Sequence, residues 1–141
     1  MKRTASAVWQ GDLKSGKGAL TTESGVLSST AYSFATRFGD NKGTNPEELI
    51  AAAHAGCFTM ALSAQLGTAG ITAEKLATTA TLTMEKLEKG WTITAIHLDL
   101  KAKIPGASRE AFDAATAEAK ANCPVSRVLN AKITLDAALE S

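Results

Sequence analysis

Aromatic residues make up only 5% of this 141-residue chain, and neither sign of charge prevails: 15 Lys and Arg stand against 14 Asp and Glu. The first scarcity removes the stacking platforms of single-strand nucleic-acid binders. The second removes the long-range field that steers a protein to nucleic acid or to an anionic membrane. The start, Met1 to Trp9, is basic but no apolar run follows it, so it does not read as a secretory signal. There is no Walker loop, dinucleotide fingerprint or nucleophile elbow. Nor is there a linker, an internal repeat or a low-complexity tract. The cysteines are just two, Cys57 and Cys123. In a reducing cytoplasm, where this chain is expected, such a pair is seldom a structural disulfide. It fills a core, binds a metal or performs redox chemistry.

What is present points to one α+β domain over residues 1–141. The apolar share of 45% against 21% charged suits a buried core. Alternating or β-branched residues predict strands over 4–10, 18–23 and 31–38. Asn45, Pro46 and Glu48 then supply a helix cap, a first-turn proline and a capping-box acid, so a helix should run to about Leu66. The segment 49–66 has no charged residue and is near the length of a membrane span. It is mostly small residues, with His54 and Gln65 inside and no flanking basic cluster, so it reads as a helix covered on several sides within a protein. Strands are expected over 75–87 and 91–103, joined at Glu88-Lys89-Gly90, with a phase change near Ala95 that reads as a bulge. Ser108 caps a helix to about Lys120, Asn122-Cys123-Pro124 opens a short one to about Asn130, and 132–139 is a last strand. The order is βββ-α-ββ-αα-β.

Several residues could carry chemistry, and each has an ordinary reading beside the functional one. Cys57, inside the apolar helix, is either a small core residue or a reactive thiol. Cys123, at the start of a short helix, is either a cap or a thiol whose ionised form the helix start favours. Together they could form a peroxidatic and resolving pair. Arg37 is either solvated or a cation that stabilises a thiolate and binds peroxide oxygen. Glu47 either compensates the helix dipole or orients Arg37 through a two-point contact. His54 lies one turn before Cys57, so a metal pair is conceivable, yet no second ligand pair has zinc-type spacing.

Thr36-Arg37-Phe38, the run Gly43-Thr44-Asn45-Pro46-Glu47-Glu48-Leu49 through His54-Ala55-Gly56-Cys57-Phe58, and Asn122-Cys123-Pro124-Val125-Ser126 form one pattern. It resembles the OsmC/Ohr family of osmotically inducible and organic hydroperoxide resistance proteins. Trp9-Gln10-Gly11-Asp12 and Thr22 to Leu27 make it more similar to the OsmC branch. The resemblance implies an intertwined α+β homodimer, with antiparallel β-sheets wrapped around central buried helices. It implies a peroxidase acting on organic hydroperoxides in stress defence, with Cys57 peroxidatic, Cys123 resolving, Arg37 activating and Glu47 its carboxylate partner. It gives His54 no role. It implies a dithiol reductant, dihydrolipoyl groups in particular, and no metal, flavin or other cofactor. Glu47 and Cys57 are ten residues apart on one helix, roughly 15 Å along its axis. A shared Glu47–Cys57 site therefore needs a second copy of the chain. The competing readings are a non-enzymatic module that binds an apolar small molecule, with structural cysteines, and a metal-binding protein built on His54 and Cys57.

Overall fold

The computed structural model describes residues 1–140, which divide into two compact units, the first Met1–Leu49 and the second from Ile50 onward. In the first unit β1 (Ala5–Gln10), β2 (Lys17–Thr22) and β3 (Thr30–Tyr32) form an antiparallel sheet in that order. Gly18 is in register with Trp9 on one side and Tyr32 on the other. A Cβ at Gly18 would lie 2.4 Å from the Tyr32 ring and 2.6 Å from that of Trp9. Its absence lets the two rings meet across the middle strand, with centroids 5.5 Å apart.

The expected strand over 31–38 stops at Tyr32, and α1 (Phe34–Phe38) follows it. The reason is local. Ser33 accepts a hydrogen bond from the Thr36 N–H, and the Thr36 hydroxyl accepts one from the Ser33 N–H, a reciprocal cap that competes with the extended ladder. α2 (Pro46–Thr68) begins as its sequence predicts, with Asn45 Oδ1 accepting from the Glu48 N–H at 2.8 Å. The Glu48 carboxylate meets the Thr44 hydroxyl instead of closing a box on Asn45.

In the second unit β4 (Lys75–Leu87) and β5 (Gly90–Lys103) pair antiparallel. Their register shifts between Thr83 and Met84, where Thr94 of β5 is the extra residue, so the bulge near Ala95 is present. After α3 (Arg109–Asn122) and α4 (Pro124–Val128), β6 (Lys132–Glu140) returns to pair with β5 in parallel. The sheet is therefore not antiparallel throughout: a helical crossover between neighbouring strands sets them parallel. Alternation along β5 sends Ile96, Leu98, Leu100 and Ala102 into the core and leaves Asp99 and Lys101 outside. Phe112 and Ala119 of α3 join the same core, as do Phe58, Leu62 and Leu66 of α2.

α2 differs from expectation in its cover. Within one chain it buries a single line, His54, Phe58, Leu62 and Leu66, at four-residue spacing. Ala53, Gly56, Met60, Ala64 and Gly67 are outside that line, and Met60 is 77% exposed. By length and composition α2 is also the one helix among the described residues apolar enough to cross a membrane.

Leu98→Ala should lower unfolding stability by about 2–5 kcal/mol, because a large fully buried side chain leaves a cavity. Lys101→Ala, on the outer face of the same strand, should change it by no more than about 0.5 kcal/mol. Urea denaturation of the two variants checks both values.

Candidate functional site

The candidate chemistry of the second unit gathers at the junction of α3 and α4. Cys123 sits between these helices in an extended conformation (φ −60°, ψ 138°), closing one and capping the other. Its N–H donates to Ala119 O at 3.0 Å, and its Sγ accepts from the Ser126 N–H at 3.3 Å. Pro124 takes the first helical position, where no N–H is needed. This lock leaves Cys123 only 1% exposed.

Cys57, in the middle of α2, is partly exposed and lies beside Cys123, close enough for the two thiols to influence each other. Burial raises the Cys57 pKa above its ordinary value. A backbone hydrogen bond from Val125 opposes that shift, while the Cys123 thiol adds to it. The structure thus brings the two sequence-predicted cysteines together as free thiols.

Two further side chains continue the contact. The Cys123 thiol donates to Ser126 Oγ at 3.0 Å, and Ser126 Oγ lies 2.7 Å from Nε2 of the fully buried His54. His54 Nδ1 has no hydrogen-bond partner among the described residues. Burial lowers the His54 pKa, which favours the neutral ring. The sequence singles out His54 only as a possible metal ligand, and it gives Ser126 no task within the Asn122–Ser126 motif. The signal for Ser126 is its place three residues after the capping Cys123, since that residue supplies the N–H returning to the cap. Among the described residues no three His, Cys, Asp or Glu side chains come close enough to hold a metal ion together.

In the first unit the structure joins the other predicted pair. Arg37 Nε lies 3.0 and 3.1 Å from the two Glu47 carboxylate oxygens, and its Nη2 lies 2.7 Å from Oε1. This is the two-point contact expected of Glu47, and it fixes the guanidinium plane. The guanidinium also lies 5.0 Å from the Phe38 ring centroid. Beside it a pocket of about 250 Å³ is walled by Trp9, Leu13, Tyr32, Ser33, Phe34 and Phe38. Sequence reasoning misses these apolar walls, because a strand over 31–38 would not place Phe34 and Phe38 on one helical turn.

The pattern of the family described as "OsmC-like protein" matches residues 39–138. This chain belongs to the OsmC family. It is 52% identical over 139 residues to proteins named peroxiredoxin OsmC from Escherichia coli and Shigella flexneri, covering 99% of this chain and 97% of each relative. Among solved structures it is similar to an organic hydroperoxide resistance protein from Elizabethkingia anophelis, with a TM-score of 0.75, 25% identity and 99% of both chains covered. An OsmC-like protein of unknown function from Vibrio cholerae shares the fold, with a TM-score of 0.79, 15% identity, and 98% and 99% of the two chains covered.

The neutral buried state of His54 predicts a pH dependence. Its folded pKa lies below the ordinary 6.5, so the unfolded chain takes up the proton first as pH falls. Stability is therefore full above the unfolded value and declines as pH drops from about 6.5 toward the folded value. Melting temperature followed from pH 8 to pH 5 should decline less steeply for His54→Gln than for the native chain.

Proposed function

We propose that this chain is a thiol peroxidase that reduces organic hydroperoxides to alcohols. One observation carries the reading: a partly exposed free thiol, Cys57, lies beside a buried free thiol, Cys123. The names of its relatives, peroxiredoxin OsmC and organic hydroperoxide resistance protein, support it. The Cys57 thiolate attacks the terminal peroxide oxygen, the O–O bond breaks, and the alkoxide leaves as alcohol after taking a proton. Cys57 is then a sulfenic acid. Cys123 condenses with it to a disulfide and releases water. A dithiol, dihydrolipoyl groups by resemblance to the family, would reduce the disulfide in a reducing cytoplasm.

Burial makes the Cys57 thiolate costly, so the reaction needs a nearby cation. We assign that part to Arg37, held in plane by Glu47. The helical spacing of Glu47 and Cys57 requires the pair to reach the cysteine of a second copy. The stripe of α2 from Ala53 to Gly67 that one chain leaves open is a face such a copy could cover. On this reading residues 1–141 act as one functional domain, and the apolar walls beside Arg37 receive the organic part of the peroxide.

Reduced protein mixed with a bulky alkyl hydroperoxide should lose both thiols and yield one intrachain disulfide by peptide mapping. Cys57→Ser should reduce turnover to background while keeping the fold, and Cys123→Ser should halt at oxidised Cys57. Near-normal turnover in Cys57→Ser, or a disulfide mapped between chains, contradicts the scheme. Arg37→Met should slow the peroxide step by about 10²–10³-fold, the usual cost of losing a transition-state donor. An unchanged rate constant removes Arg37 from the site.

The shared site has its own test. Glu47→Ala and Cys57→Ser chains, each impaired alone, should recover one working site per verified mixed dimer. Mixed dimers without activity, or an active monomer, overturn it.

A further inference from the structure

The peroxidase reading leaves one buried group without a task. His54 is 0% exposed, sits in the line that anchors α2, and spends a ring nitrogen on Ser126 rather than on a backbone carbonyl. Its other nitrogen has no partner among the described residues. A residue chosen only to fill this space would carry no such unpaired atom. Ser126 is itself only 7% exposed, and its hydroxyl meets the side chains of His54 and Cys123.

We propose that His54, acting through Ser126, accepts the proton that Cys123 must lose when it attacks the oxidised Cys57. The relay uses one tautomer of His54, with Nε2 accepting from the serine hydroxyl. The Cys123 thiol donates to Ser126 Oγ, which leaves the serine proton free to point at His54 Nε2. In the neutral ring the proton then sits on Nδ1, the atom without a partner. When Cys123 attacks, its proton passes to Ser126, and the serine proton passes to Nε2. The Cys123 sulfur forms a bond to the Cys57 sulfur, and the Cys57 sulfur–oxygen bond breaks. The departing hydroxide takes one proton and leaves as water, which returns the relay to neutrality. One thiol sulfur and one sulfenic sulfur end as a disulfide, and no further oxidant is needed.

The surroundings suit a base of this kind. Burial is the one influence that shifts His54, so no neighbouring charge holds it protonated. The buried hydrophobic core of this unit, including Phe58, Ile96, Leu98, Leu100 and Phe112, holds no titratable side chain but Cys123. The titratable groups of this cluster are Cys123, reached through Ser126, and Cys57, one turn along α2. His54 acts on the reacting sulfurs only through Ser126, so its part is to position the serine and hold the proton.

This inference rests on Cys123 being the resolving thiol, and it can be tested without peroxide. Reduced protein treated with a small neutral dipyridyl disulfide should release thiopyridone in two phases. The first loads Cys57 with a mixed disulfide. The second is the attack of Cys123, which forms the Cys57–Cys123 disulfide and frees the second thiopyridone. In the native chain the second phase should be nearly constant between about pH 6.5 and 8, because the base is built in. A thiol reacting only through its own ionisation would instead accelerate about tenfold per pH unit.

His54→Gln keeps an acceptor for the serine hydroxyl but cannot take its proton. It should slow the second phase at pH 7 by about 10²-fold and restore the steep pH dependence. Ser126→Ala should do the same, and Ser126→Thr should recover most of the rate. A native second phase that climbs tenfold per pH unit overturns the relay. So does either disabling variant that melts like the native chain and keeps its rate and profile. Loss of peroxide turnover with an intact two-phase release would instead count against the peroxidase reading alone.

Discussion

A single row of four side chains governs where everything reactive in the second unit lies. His54, Phe58, Leu62 and Leu66 recur every four residues and are the buried residues of α2. Three of them are hydrocarbon and belong to the same core as Ile96, Leu98 and Phe112. They fix the rotation of the helix about its own axis. Once that angle is set, Cys57 emerges at the edge of the buried row, next to Cys123, and His54 is carried inward to meet Ser126. Turning the helix by one residue, about 100°, would separate both contacts. The chemistry is therefore registered by apolar packing, with the polar links fitted to it afterwards.

Much of this arrangement is legible in the amino-acid sequence. Asn45 and Pro46 mark the start of α2, and alternation in β5 names the core residues Ile96, Leu98 and Leu100. The same pattern marks the bulge, because a change of phase needs an extra residue. Three things are hidden. The strand over 31–38 is broken by a reciprocal cap between Ser33 and Thr36, two short polar side chains whose local bonds outweigh the extended preference of their neighbours. The parallel return of β6 depends on where two helices deliver the chain, which alternation cannot encode. The sequence of α2, small or apolar around the whole circumference, implies cover on several sides. One chain buries only one line of it.

The candidate site is legible in pieces. Each cysteine alone has an ordinary reading, and so do Arg37 and Glu47. Resemblance to the family pattern names the four residues, but their pairwise contacts are a matter of tertiary structure. The task of Ser126 is invisible for a related reason. A serine at the third position of a short helix is common, and only its meeting with a histidine 72 residues earlier distinguishes it.

Pro124 has a wider consequence. The first turn of α4 opens with a residue that has no N–H, so the amides next in line are those of Val125 and Ser126. The Val125 amide acts on the Cys57 thiol and lowers its pKa, and Ser126 donates its own hydrogen bond to Cys123 Sγ. Adjacent peptide groups thus face the two sulfurs, one amide to each. Drift of α3 or α4 would carry Cys123 and both donors together while Cys57 stays with α2, so the two amides keep the thiols in step only as long as the apolar row keeps α2 seated.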